Sequence, residues 1–166
     1  KAVPRLVRMI GRSKSPYGRM HALYALDGLG MLQEKQVLAG LKDSDELVRL
    51  HAVRLSEKVL DNAKASPALW SQLRRMTADP SINVVYQLAF TLGEIQHPER
   101  STALAECLKR DPESQWMRAA VLSSLAAGAG EVFGLVTTDA EFMAGKPGRQ
   151  FVSDLARMIG AMNQPS

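Results

Sequence analysis

The chain has 166 residues, 46% of them hydrophobic and 23% charged, which is the balance of a globular fold long enough to bury a sizeable core. Its single cysteine, Cys107, excludes an internal disulfide and a thiolate metal cluster, and no apolar run reaches the roughly 18 residues of a membrane span. The net charge is +4, but Lys1, Arg5, Arg8, Arg12, Lys14 and Arg19 all lie in the first twenty residues with no acid among them. The basic character belongs to one end, which argues against a nucleic-acid binder with cations spread along a groove.

In chain order, residues 3–12 predict a short amphipathic helix. Val3, Leu6, Val7 and Ile10 share one side, and Arg5, Arg8 and Arg12 the other. Ser15-Pro16 is a helix start, with Ser as cap and Pro in the first turn, and Gly28 and Gly30 stop that helix after residue 26. A helix over 34–41 leads to the turn Asp43-Ser44-Asp45 and then to a helix over 46–60. Its inward positions, Leu47, Leu50 (or His51), Val53 (or Arg54) and Val59, predict broad burial.

Ser66-Pro67 repeats the Ser-Pro start, and Leu69, Trp70, Leu73 and Met76 form one apolar face. Asp79-Pro80 is the next turn. A helix over 82–95 follows, with Val85, Leu88, Ala89 and Leu92 inward. His97-Pro98 opens the next pair, with Ala103, Leu104, Cys107 and Leu108 buried. Asp111-Pro112 is its turn and 113–125 its second helix. Short helices over 132–136 and 139–143, a loop at 145–148 and a final helix over 149–162 complete the chain.

Helix, Asp-bearing turn, helix recurs at intervals of roughly 30 to 37 residues, the signature of an α-solenoid. Matching strings begin near Arg19, Arg49, Tyr86 and Arg118. One such pair cannot bury its apolar face alone, and stacked pairs share a core. Ala22, Ala52, Ala89 and Ala120 are small enough to let neighbouring helices approach. The expected fold is all-α, a right-handed solenoid of four to five units with nine or ten helices. Residues 1–166 are read as one domain. Because the chain opens on Lys rather than Met and carries no signal-peptide pattern, the expectation is a segment of a longer protein.

Units with an Asp turn, then Val-Arg, then Ala and Leu at helical spacing resemble HEAT repeats of the armadillo type. The string RMHALYALDGLG (19–30), then VRLHAVRLSE (48–57), with LARMIGA (155–161), is similar to the HEAT segment of large bacterial haem-binding, membrane-bound dehydrogenases. In those proteins the repeats lie between a β-propeller and a c-type cytochrome domain. The resemblance implies an extracytoplasmic parent, periplasmic or membrane-associated, of the dehydrogenase type. No C-x-x-C-H is present, so no haem role attaches to any residue here.

No catalytic constellation is legible. His21 and His51 occupy matching places in consecutive units and could be neighbours, but no third ligand is spaced to join them, so packing is the expected role. His97 stands in another frame. Gly128-Ala129-Gly130 departs from the dinucleotide fingerprint, Gly145-Lys146-Pro147 is a turn, and neither G-x-S-x-G nor H-E-x-x-H occurs. Trp70 and Trp116 are expected to pack in the core or at an interface. Arg19, Arg49 and Arg118 follow the turns and are expected to pair with Asp43, Asp45 or Asp111.

The expectation for function is therefore a non-catalytic, protein-interaction scaffold without cofactor or metal. Its partners would be other domains of the parent chain or another subunit, with no membrane insertion by this segment. The candidate contact residues are Arg5, Arg8, Arg12, Lys14, Arg19 and Arg49. The rival reading is a HEAT-like DNA-binding or DNA-glycosylase module. A third is a lyase or chaperone for a bound chromophore.

Overall fold

A computed structural model describes residues 2–162, so Lys1 lies outside the described residues. Eleven α-helices occupy them: α1 (Val3–Arg12), α2 (Pro16–Gly28), α3 (Glu34–Gly40), α4 (Glu46–Ser56), α5 (Pro67–Arg75), α6 (Ile82–Gly93), α7 (Arg100–Arg110), α8 (Gln115–Ser123), α9 (Ala129–Thr137), α10 (Ala140–Ala144) and α11 (Lys146–Met162). The fold is all-helical, with no strand among the described residues.

The helix starts are written in short polar side chains. The Ser15 hydroxyl accepts from the Gly18 N–H at 3.3 Å, Asp45 from Leu47 at 3.0 Å, Ser66 from Leu69 at 3.1 Å and Ser114 from Met117 at 3.3 Å. Each satisfies one of the N–H groups that a helix leaves unpaired at its first turn. Ser81 stands at the equivalent place before α6, but its side chain makes no cap bond. Its hydroxyl is buried and unpartnered among the described residues. Asp79 Oδ1 takes the Ser81 N–H instead, at 2.9 Å.

The helices pair in chain order. The second helices of the first four hairpins, α2, α4, α6 and α8, stack side by side as one layer, and the first helices cover the other side. The last hairpin is irregular: α9 packs on α7, and α10 and α11 close over it. One continuous core runs from Ile10 on α1 to Leu155 on α11. Ala22, Ala52, Ala89 and Ala120 are all buried, as their size suggests. Gly40 shows how tight the fit is, since a Cβ there would stand 2.8 Å from the Ala52 Cβ.

Several boundaries differ from the sequence expectation for local reasons. The helix at 46–60 ends at Ser56 and tightens into a 3-10 turn at Glu57–Val59. Beyond it Asn62 and Ala63 take left-handed backbone angles, φ 49° and 62°, and an isolated bridge pairs Asp61 with Lys64. This added loop accounts for the longest repeat interval. The burial of α4 also falls elsewhere: Val48, Ala52, Val53, Leu55 and Ser56 are buried, whereas Leu47 and Leu50 are only partly so. The stretch at 145–148 is not a loop. Gly145 precedes α11, and Lys146 and Pro147 form its first turn, where proline lacks only an N–H that would go unpaired anyway. Trp70 is a core residue at 7% exposure, but Trp116 is not, at 65%.

Gly148 is the tightest point of the last hairpin, because a Cβ there would lie 2.0 Å from the Phe142 carbonyl oxygen. Backbone cannot swing aside as a side chain can. Gly148→Ala is predicted to cost at least about 2 kcal/mol. Gly134→Ala, on α9 with open space around the added methyl, is predicted to gain up to about 1 kcal/mol from helix propensity. Urea denaturation of the two variants against the parent checks both signs.

Candidate interaction surface

The turn end of the second-helix layer carries a chain of arginines and aspartates. Arg19 lies four residues after the α2 cap. It places Nε and Nη2 on the Asp43 carboxylate at 2.6 and 2.7 Å, and Nη1 on the Ser13 carbonyl at 2.8 Å. Arg49, at the same place on α4, repeats this with Asp79 at 2.8 and 2.9 Å and with the Asp43 carbonyl at 2.9 Å. Each arginine thus clasps its own turn and the carboxylate of the next. The paired side chains are only 14% and 9% exposed in the first link and 12% and 5% in the second.

Counting from the caps corrects the sequence alignment at the third unit. Val85, not Tyr86, stands where Arg19 and Arg49 stand, and it is buried. The missing guanidinium arrives from the following hairpin. Arg110 donates to the Thr77 and Asp79 carbonyls, both at 2.9 Å. Arg118 reaches only its own turn, donating to Pro112 O at 2.6 Å and Glu113 O at 2.9 Å. Among the described residues it has no carboxylate partner, and Asp111 instead accepts from the Ser114 N–H at 3.3 Å.

Electrostatics follow this geometry. Burial pushes the Asp43 carboxyl up. The Arg19 hydrogen bond, the Asp45 N–H and the charges of Arg19 and Arg49 outweigh it and hold the group below its ordinary value. The Asp79 hydrogen bond likewise raises Arg49 against the cost of burial. Burial pushes the Cys107 thiol up to about 12, so the only cysteine is a core side chain and not a nucleophile. Among the described residues no cluster of His, Cys, Asp and Glu could hold a metal ion.

The histidines are dispersed. His21 is exposed. His51 Nδ1 meets the Tyr24 hydroxyl at 2.8 Å, with the two rings edge-on. Burial lowers the His51 pKa, and the charges of Arg54 and His21 lower it further. His97 stacks on Trp70 with ring centres 3.8 Å apart, and its Nδ1 accepts from the Glu99 N–H at 3.1 Å.

The second-helix layer carries Tyr17, Phe90 and Trp116 outward, with Tyr24 and Tyr86 half-buried against the core. Tyr17 is 62% exposed, Phe90 39% and Trp116 65%. The other aromatic rings, Trp70, Phe133, Phe142 and Phe151, are buried or half-buried. Between α6 and α8, Ile82, Tyr86, Trp116 and Met117 line a shallow hollow of about 240 Å³. A larger one of about 540 Å³ lies over the C-terminal ends of α4, α6 and α8, walled by Arg54, Glu57, Phe90 and Glu94. Of the candidate contact residues, Arg5, Arg8 and Arg12 are exposed on α1 and Lys14 on the loop after it. Arg19 and Arg49 are engaged in the links just described.

The hairpins, their capped turns and the shared core correspond to a known repeat. A comparison with protein-family models matches residues 34–126 to HEAT repeats. The chain belongs to the HEAT-repeat family. No curated protein and no solved structure matches it. HEAT repeats are non-catalytic and typically mediate protein interactions. No helix among the described residues is long and apolar enough to cross a membrane. The matched span runs from the start of α3 to just beyond α8, and the Arg19 link shows that the first hairpin follows the same plan.

The sequence expected the arginine–aspartate pairs but not their direction, which runs from each unit to the next. The signal was present, because Arg19 and Arg49 follow their caps by four residues while Asp43 and Asp79 precede the next caps by two. The sequence leaves Trp116 open between core and interface, and it does not show that Tyr17 and Phe90 share its layer.

Two outcomes are predicted. Arg49→Ala strands a mostly buried carboxylate and should cost about 3 kcal/mol, with a double-mutant cycle against Asp79→Asn giving strong coupling. His51 has a folded-state pKa below its unfolded value, so its contribution is complete above the ordinary 6.5 and is lost as the pH falls below that value. Thermal melts across that range should show His51→Gln with the flatter acid limb.

Proposed function

We propose that this chain is a protein-interaction scaffold and one segment of a larger exported protein of the haem-binding dehydrogenase type. The observation that carries the first part is the exposure of Tyr17, Phe90 and Trp116 together on one helix layer. Solvent-facing aromatic rings on a rigid, repeated support are the anchors that protein interfaces use. The shifted titrations described above arise from packing and from links between units, and none of those groups has the base and orienting partner a nucleophile needs.

The second part is supported by the strings at 19–30, 48–57 and 155–161. On that reading the 166 residues form one right-handed solenoid domain, placed outside the cytoplasm, that docks the flanking domains of its parent or another subunit. Redox chemistry would belong to those domains. Arg5, Arg8, Arg12 and Lys14 are the candidate contacts on the first helix, and Arg19 and Arg49 stay in the assignment with only their outer edges available.

Sequencing the gene on both sides of this segment is the test. A propeller-encoding region upstream and a Cys-x-x-Cys-His motif downstream are expected, and a gene that ends near these termini removes the parent from the proposal. Flanking domains expressed separately are then expected to bind this segment and to lose affinity with Trp116→Ser. That exposed substitution should leave stability within about 0.5 kcal/mol of the parent.

A further inference from the structure

The first helix is built differently from its neighbours on the outside. Ile10 is buried, and Val3 and Leu6 pack partly buried against the core. Arg5, Arg8 and Arg12, at i, i+3 and i+7, share the opposite side and are all exposed. None of these three, nor Lys14, forms a salt bridge among the described residues. The first acid in the chain is Asp27. Met9, at 41% exposure, lies beside the stripe, four residues after Arg5 and three before Arg12. Beyond Arg12 the stripe continues into a hollow of about 380 Å³ between the α1–α2 loop and the α3–α4 turn, with Gly11, Lys14, Ala39 and Ser44 on its walls.

We propose that the outer face of α1 docks an acidic segment of a protein partner, whose carboxylates meet Arg5, Arg8 and Arg12 while an apolar residue covers Met9. The inference rests on the scaffold reading and names the chemistry of one partner. Three arginines across two helical turns span about 10 Å, the spacing of carboxylates at i, i+4 and i+7 on a facing helix. Guanidinium forks take carboxylates two bonds at a time.

The exposed methionine decides between partner classes. A phosphate backbone offers nothing to Met9, and interface cores are enriched in Met and Arg. A membrane would need the apolar side of α1, which the core already occupies. Among the described residues no helix offers three carboxylates at that spacing, which argues against this same segment of a second copy as the occupant.

The test titrates the 166-residue chain with a synthetic helical peptide bearing Glu at i, i+4 and i+7 and Leu between them. Saturable binding is expected, weakening several-fold when salt is raised from about 0.05 to 0.3 M. A matched Gln peptide should not bind. The triple variant R5E/R8E/R12E should lose at least about tenfold in affinity with an unchanged melting temperature. R5K/R8K/R12K should show a smaller loss, because charge is kept and the fork is not. Met9→Ser should weaken binding without altering its salt dependence.

Equal binding by the charge-reversed protein, or no binding by the Glu peptide, overturns the proposal. So does equally tight binding of a random-sequence DNA duplex or of phosphatidylserine vesicles. Trp116→Ser should leave the peptide titration unchanged. If the flanking domains bind the charge-reversed protein normally but lose Trp116→Ser, the scaffold reading stands and the α1 surface falls.

Discussion

The arginine–aspartate links at the turn end of the stack are the interaction on which the repeat architecture depends. A helical hairpin of this size cannot fix its neighbour's position by hydrophobic burial alone, because apolar contact is non-directional and tolerates sliding. A fork of two parallel N–H···O bonds does not slide. Arg19 holds Asp43, and the Asp43 carbonyl takes Arg49, which holds Asp79. Asp79 in turn orders the start of α6 through the Ser81 N–H. Register between units and helix initiation within units are thereby set by the same carboxylates. The buried location makes each link costly to lose and satisfies every group it brings in from water.

The remaining steps of the stack use other means to the same end. Glu34 receives the Ser66 hydroxyl at 2.7 Å, and Glu57 receives that of Thr91 at 2.6 Å. Arg74 forks onto Glu106, which Thr77 also contacts at 2.9 Å, and Lys109 pairs with Asp139. The third unit shows how freely the parts can be exchanged. Val85 adds to the core what its position gives up in charge, and Arg110 supplies the turn with donors from the other side. The polar need of the turn carbonyls is constant, while the residue that meets it is not.

Much of this plan was legible in the sequence because its signals are local. Ser15-Pro16 and Ser66-Pro67 announce helix starts through backbone chemistry that does not depend on the rest of the fold. Leu69, Trp70, Leu73 and Met76 announce a buried face by their spacing alone. What stayed hidden depends on partners far along the chain. The direction of the arginine links needed the neighbouring unit to be in place, and the identity of the third-unit position needed the cap register, which the longer loop before Ser66 obscured. Gly148 read as a loop residue because glycine and proline together suggest one. Only the nearness of the Phe142 carbonyl explains why glycine stands inside a helix. For Trp116 residue type leaves core and interface open, and its exposure selects the second.

The two edges of the stacked layer are not equally fastened. Between α2 and α4 and between α4 and α6 the turn edge is closed by two-bond forks between charged groups, and the far edge by single hydrogen bonds such as Tyr24 to His51 and Thr91 to Glu57. A pull or twist on the stack therefore meets unequal resistance. Any opening between α2 and α4 or between α4 and α6 would cost less at the far edge than at the forked one.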